Sequence, residues 1–176
     1  MSSDKVHVMV DIETWDTKPS AVILSLGACV VTNTDVTFYK EAAVDSQASR
    51  TASIATMDWW AEQEKNGVYY PNKGTQSLKE VLQEFSRWLS TLRAEPIIWC
   101  KGTDFDTAIL AHAYNQCSLQ LPWKYNNVRD FRTLLKLHSQ LERGTNLVPH
   151  HALQDAIYQS RELQRILNYN NYLQLG

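Results

Sequence analysis

Long apolar runs are missing from this 176-residue chain. None approaches the roughly 18 consecutive apolar residues that a membrane span requires. The opening M-S-S-D-K also lacks the charged-then-apolar layout of a secretory signal, so the cytoplasm is the expected location and no membrane partner is expected. Cysteine is scarce: Cys29, Cys100 and Cys117 are odd in number, show no C-x-x-C spacing and lie in apolar segments. That favours buried reduced thiols over disulfides or zinc. A basic surplus is missing too. The formal charge of −2 argues against a protein that coats long duplexes by charge alone. A nuclease is not excluded, because an acidic site that takes up divalent metal reverses its local sign and draws phosphate to the metal. Internal repeats, low-complexity tracts and linkers are absent, so residues 1–176 are read as one domain, large enough to bury roughly 70% of its unfolded surface.

What is present begins with Val6 to Glu13, V-H-V-M-V-D-I-E, an alternating strand that ends in two carboxylates. Side chains on a strand repeat every two residues, so Asp11 and Glu13 project from one face. Two acids side by side repel unless a cation lies between them, and hard ions such as Mg²⁺ or Mn²⁺ prefer carboxylate oxygens. After a turn at Thr17 to Pro19, Ala21 to Thr32 reads as a central strand, Asn33 to Asp35 as a turn and Val36 to Ala43 as a third strand, an antiparallel meander. Ser53 to Lys65 is helical, with Ile54, Met57, Trp60 and Ala61 on one side, and Asn66 to Thr75 is loop by its Gly, Pro and Asn content. Ser77 to Leu92 is the clearest helix, with Ser77 as N-cap and Glu80 at the capping-box position. A strand over Ile97 to Cys100 and a helix over Phe105 to Cys117, with Asp104 as candidate cap, form a β-α unit that adds parallel strands. A short strand at Asn126 to Arg129 and helices over Phe131 to Leu141 and Ala152 to about Asn168 complete an α/β domain with a mixed central sheet flanked by helices.

Carboxylates recur in suggestive settings. Asp106 lies at a strand-to-helix junction, where open α/β sheets bind ligands, and Asp155 lies on the last helix in H-H-A-L-Q-D-A. There the small Ala152 lets the backbone come close to the sheet. Each has an ordinary alternative. The D-x-E can be a strand running out into a solvated turn, Asp106 an acid favoured by the helix dipole, Asp130 an N-cap, and Asp155 part of a solvated face.

In order, D-x-E on the first strand, F-D after a later strand and H-x-x-x-x-D on the last helix, the pattern resembles the DEDD superfamily of 3′-5′ exonucleases in its histidine variant. W-x-x-G-x-x-F-D at Trp99 to Asp106, R-D-x-R-T at Arg129 to Thr133 and M-D-W-W at Met57 to Trp60 resemble a branch of small bacterial and bacteriophage enzymes. The resemblance runs from Val6 to about Leu167 and implies a ribonuclease H-like fold. It implies Asp11, Glu13, Asp106 and Asp155 as ligands of two Mg²⁺ ions, replaceable by Mn²⁺ and about 3.5 to 4 Å apart, with His150 as general base. Asp11 would bridge the ions, with Glu13 and Asp155 on the nucleophile side and Asp106 on the leaving-group side. A free imidazole titrates near about 6.5, which suits that task at neutral pH. Two departures are visible: Lys101 stands where the branch often has an uncharged polar residue, and His151 where many relatives have asparagine.

The partner implied is the 3′ end of a single-stranded nucleic acid, held partly by bases stacking on aromatic rings. Trp15 and Trp59 are candidates for that role, whereas Trp60 is expected in the core. Thr14 would meet the terminal sugar through its main chain, Lys101 would meet phosphate, and Arg129 and Arg132 would either meet phosphate or pair with acids. DNA is favoured slightly over RNA because phage-type relatives act on DNA. An oligoribonuclease-like exoribonuclease is the alternative, and a silent binding module the remote one. Relatives are often dimeric, which leaves a homodimer open. The loop Glu142 to Pro149, before His150, is expected to be mobile until metal and substrate bind.

Overall fold

The computed structural model describes residues 4–169. Five strands, β1 (Lys5–Thr14), β2 (Ile23–Val30), β3 (Asn33–Glu41), β4 (Glu95–Cys100) and β5 (Val128–Asp130), form one sheet in the order β3-β2-β1-β4-β5. The first three are an antiparallel meander, and β4 runs parallel to both β1 and β5. Between β3 and β4 the chain crosses through α1 (Ile54–Lys65) and α2 (Leu78–Thr91). After β4 come α3 (Asp106–Gln116), α4 (Phe131–Leu137) and α5 (Ala152–Tyr169). This is the mixed α/β architecture expected of a ribonuclease H-like exonuclease.

Alternation along β1 sorts the two layers. Val8, Val10 and Ile12 face Leu82 and Phe85 of α2 and Ile109 and Leu110 of α3 in the larger apolar cluster. Met9 points the other way, with Cys29, Trp99 and Phe131, against Ala156, Leu163 and Ile166 of α5. Asp11 and Glu13 continue the Met9 side, so the same periodicity that builds the core delivers both acids beneath α5. Cys29 and Cys100 are buried and Cys117 half-buried, all as free thiols, and burial pushes Cys29 up to about 11.

Several local expectations give way. The β2–β3 reversal is at Val31 and Thr32, since Asn33 already pairs with Val30. Asn33, Thr34 and Asp35 are therefore strand residues. β3 is an edge strand with a solvated side, where polar letters are at no disadvantage. On α1 the side bearing Ile54, Met57 and Ala61 faces outward, with Ile54 78% exposed, and Trp60 is the helix's one buried residue. Asp104 does not cap α3. Phe105 holds that position without a side-chain bond. α4 stops at Leu137, itself 70% exposed, because beyond Leu135 it has little further apolar side to bury. The capping box of α2 is present in full, with Ser77 and Glu80 each bonding the other's backbone. Among the described residues no helix is long and apolar enough to cross a membrane.

Candidate active site

At the carboxyl ends of β1 and β4, residues from six segments meet in a cleft of about 250 Å³. β1 supplies Asp11, Ile12 and Glu13, and the turn after β4 supplies Lys101. Phe105 and Asp106 come from the start of α3 and Arg132 from α4. His150 comes from the loop before α5, and Asp155 and Gln159 from α5 itself. Asp11, Glu13 and Asp155 each place a carboxylate oxygen so that all lie within 4.8 Å of one another. Asp106 lines the same cleft and accepts a hydrogen bond from the Ile12 N–H at 3.1 Å. All four carboxylates and His150, remote in sequence, thus converge.

The acids are held by backbone geometry. An added Cβ on Gly27, opposite Asp11 on β2, would lie 2.2 Å from the Leu153 nitrogen, so only a glycine lets the first turn of α5 press onto the sheet. That seats Asp155, in the first turn of α5, over the strand. The sequence assigned this close approach to Ala152; Ala152 is the residue approached, and Gly27 admits it. His150 adopts a left-handed backbone, φ 64°, which a side chain as large as imidazole adopts at some cost. Its ring meets Trp59 edge-on, with centroids 4.9 Å apart.

Electrostatically the cluster is under load. Asp11 is raised well above the usual carboxylate range, by burial first and then by the charges of Asp106, Glu13 and Asp155. Glu13 is raised by burial, Asp155 and Asp106. Burial pushes Asp106 up to about 7 despite the Ile12 N–H and the Arg132 charge. Asp155 is also raised by burial, against the opposing bonds from Asn146 and from the His150 and His151 N–H groups. Oxygen donors at this spacing suit a hard divalent cation. The Gln159 Oε1, buried with no partner, is a further polar atom left for a hydrated ion.

Neutral amides steady two of the acids. Gln159 Nε2 donates to Asp11 Oδ1 at 2.8 Å and Asn146 Nδ2 donates to Asp155 Oδ1. Sequence reasoning missed both. Gln159 is one helical turn past Asp155, the same-face spacing that could have flagged it. The loop before His150 is fastened to α5, through Gly144 N–H to Glu162 and Tyr158 O–H to the Gly144 carbonyl, each at 3.1 Å.

The substrate candidates divide. Trp59 is 40% exposed beside His150, and Lys101 is exposed on the cleft rim. Thr14 is buried and does not line the cleft, its hydroxyl donating to the Asp16 carbonyl and its own carbonyl accepting from Trp60 Nε1. Trp15 packs against Val22, Leu24 and Trp60 with its indole N–H on Tyr70, as core rather than platform. Arg129 turns its guanidinium to the Asn126 and Val128 carbonyls and does not line the cleft. Arg132 does, anchored on the Lys101 carbonyl at 2.9 Å. Trp60 is core, as expected. Asp130 caps α4, accepting from Arg132 N–H and the Thr133 hydroxyl. His151 stacks on Tyr39 with centroids 4.6 Å apart.

Comparison with known proteins agrees with this geometry. Residues 6–167 match the family described as the 3′-5′ exoribonuclease Rv2179c-like domain. The nuclease domain of 3′hExo, a DEDDh family member solved bound to rAMP, is similar in structure at 13% identity, with a TM-score of 0.61 over 95% of this chain and 93% of that one. S. pombe Pop2p, solved in a form with Mg²⁺ and Mn²⁺ bound, is similar at 14% identity, with a TM-score of 0.58 over 92% of this chain and 82% of that one. These likenesses show a shared fold. A search of curated proteins by sequence found no match.

Proposed function

Because the chain belongs to the Rv2179c-like 3′-5′ exoribonuclease domain family and is thereby a 3′-5′ exonuclease, we propose that it shortens single-stranded RNA from the 3′ end with two divalent ions. The observation that carries the reading is the meeting of Asp11, Glu13 and Asp155 oxygens within 4.8 Å, with Asp106 in the same cleft. The resemblance read from the sequence favours DNA slightly. The family's description, and the rAMP in the 3′hExo structure, move the preference to RNA.

Asp11, Glu13, Asp106 and Asp155 would hold Mg²⁺, with Mn²⁺ as a substitute. When bound, such ions supply Lewis acidity to the water that attacks and charge stabilisation to the oxygen that leaves. His150, at the cleft wall, takes the proton from that water. Trp59, edge-on to His150 and 40% exposed, offers the terminal base a ring to stack on, worth about 1 to 3 kcal/mol. Lys101 and Arg132 place positive charge where the phosphate enters, and the planar fork of Arg132 suits phosphate oxygens.

The test uses 5′-labelled single-stranded RNA and DNA of one sequence, with Mg²⁺ or Mn²⁺, comparing wild type with Asp11→Ala. The expected result is a ladder that shortens from the 3′ end, faster on RNA, and no ladder in the variant. An equal ladder from Asp11→Ala overturns the site, and faster loss of DNA overturns the choice of sugar.

A further inference from the structure

Gln159 is chemically out of place unless the cleft uses it. It is 4% exposed on the side of α5 that otherwise buries Ala152, Ala156 and Leu163. Its Nε2 donates to Asp11 Oδ1, yet its Oε1 is buried with no partner. An unpaired buried acceptor keeps the full cost of its desolvation, so a leucine or methionine would serve packing better. The charged alternatives are worse for a different reason. Lysine or arginine would neutralise Asp11 and compete with a cation, and glutamate would add another acid to a site already raised by mutual repulsion. A carboxamide is the side chain that grips one carboxylate oxygen while leaving the charge intact.

Resting on the reading of the cleft as a divalent-metal centre, we propose that Gln159 is a positioning residue. Through Nε2 it fixes the rotation of the Asp11 carboxylate, so that the oxygen without a protein donor is offered to the cation, and its Oε1 accepts a hydrogen bond from the cation's hydration water. Both halves of the amide then have work, and the cost of the buried Oε1 is relieved on metal binding. Partners of this kind, which touch ligands and not the ion, change metal affinity by about 10- to 100-fold when removed.

The experiment titrates Mn²⁺ into the full chain by calorimetry, for wild type, Gln159→Leu and Asp11→Ala, with melting midpoints measured in EDTA. Gln159→Leu is expected to weaken Mn²⁺ binding by about 10- to 100-fold. The Mn²⁺ needed for half-maximal hydrolysis should rise by the same factor, and the midpoint in EDTA should be equal or higher because an unpaired acceptor has been removed. A merely structural glutamine would lower that midpoint and leave the Mn²⁺ affinity alone, and this outcome overturns the proposal. If Gln159→Leu does not unfold cooperatively, Gln159→Met carries the same expectation. A Gln159→Met that also fails to fold assigns the residue to packing and overturns the proposal too. Should wild type and Asp11→Ala bind Mn²⁺ alike, the metal-centre reading itself fails. Binding that is lost in Asp11→Ala but unchanged in Gln159→Leu sinks only the role of Gln159.

Discussion

A methyl group at Gly27 would fall 2.2 Å from the Leu153 nitrogen and 2.3 Å from the Ala152 carbonyl carbon, both backbone atoms that cannot swing aside. Gly27→Ala must therefore lift the start of α5, and with it Asp155 and His150, off β1. The expected loss is at least about 2 kcal/mol in urea unfolding, together with weaker Mn²⁺ binding. A variant as stable as wild type would show that α5 does not press on the strand. This residue also marks where sequence reasoning stops. Asp11 and Glu13 could be read because alternation along one strand forces them onto one face, and His150 and Asp155 because H-x-x-x-x-D, in its order after the other acids, resembles the histidine-type exonuclease motif. The partner that steadies Asp11 is not local: Gln159 and Asp11 are 148 positions apart. No periodicity within one element reports a contact made by folding two ends of the chain together. The same blindness separates Arg132 from Arg129, whose letters are equivalent and whose directions differ.

Elements were legible to the degree that burial wrote a period into them. α2 carries Leu78, Val81, Leu82, Phe85 and Leu89 inward and a complete capping box, and it lies where its pattern places it. Ser77→Ala removes an acceptor for the Glu80 N–H and a reciprocal contact with the Glu80 carboxylate. It is expected to cost about 1 kcal/mol of stability by urea unfolding, with the rate of 3′ shortening unchanged, since Ser77 lies outside the cleft. A drop in rate at full folding would tie this cap to the site. α1 shows the opposite case. Its apolar letters recur at helical spacing, yet only Trp60 is buried, stacked on Tyr70 and bonded to the Thr14 carbonyl. One anchoring indole holds the helix, and pattern alone cannot tell an apolar stripe that faces the sheet from one that faces out. The polar start of β3 was misread for a related reason, because an edge strand tolerates the letters of a turn.

For the whole molecule, the acidic cleft sets how stability responds to pH and to metal. The mixed sheet brings four carboxylates to one end, and each is raised above its ordinary range with burial as the largest cause. For Asp106 the folded value is about 7 against an ordinary 3.8. Between those values the folded protein binds a proton that the unfolded chain has released. Stability then falls as pH rises through this window and levels off above it. The other three acids add in the same direction. A shift of this size is worth a few kcal/mol, of order 1.4 for each pH unit, and for a chain of this length each kcal/mol moves the melting midpoint by about 2 to 4 °C. In EDTA the midpoint should therefore drop between pH 5 and pH 7.5, and Asp106→Asn, which carries no charge to desolvate, should drop less. Mn²⁺ takes the place of the lost protons. At about 100 times its dissociation constant it should restore about 2.7 kcal/mol at pH 7.5, and much less at pH 5, where protons compete for the same oxygens. A metal-free midpoint that climbs across this range, with Asp106→Asn climbing in parallel, would mean that the four acids are not crowded in the folded state. The cleft would then lack the unbalanced charge that calls for divalent ions.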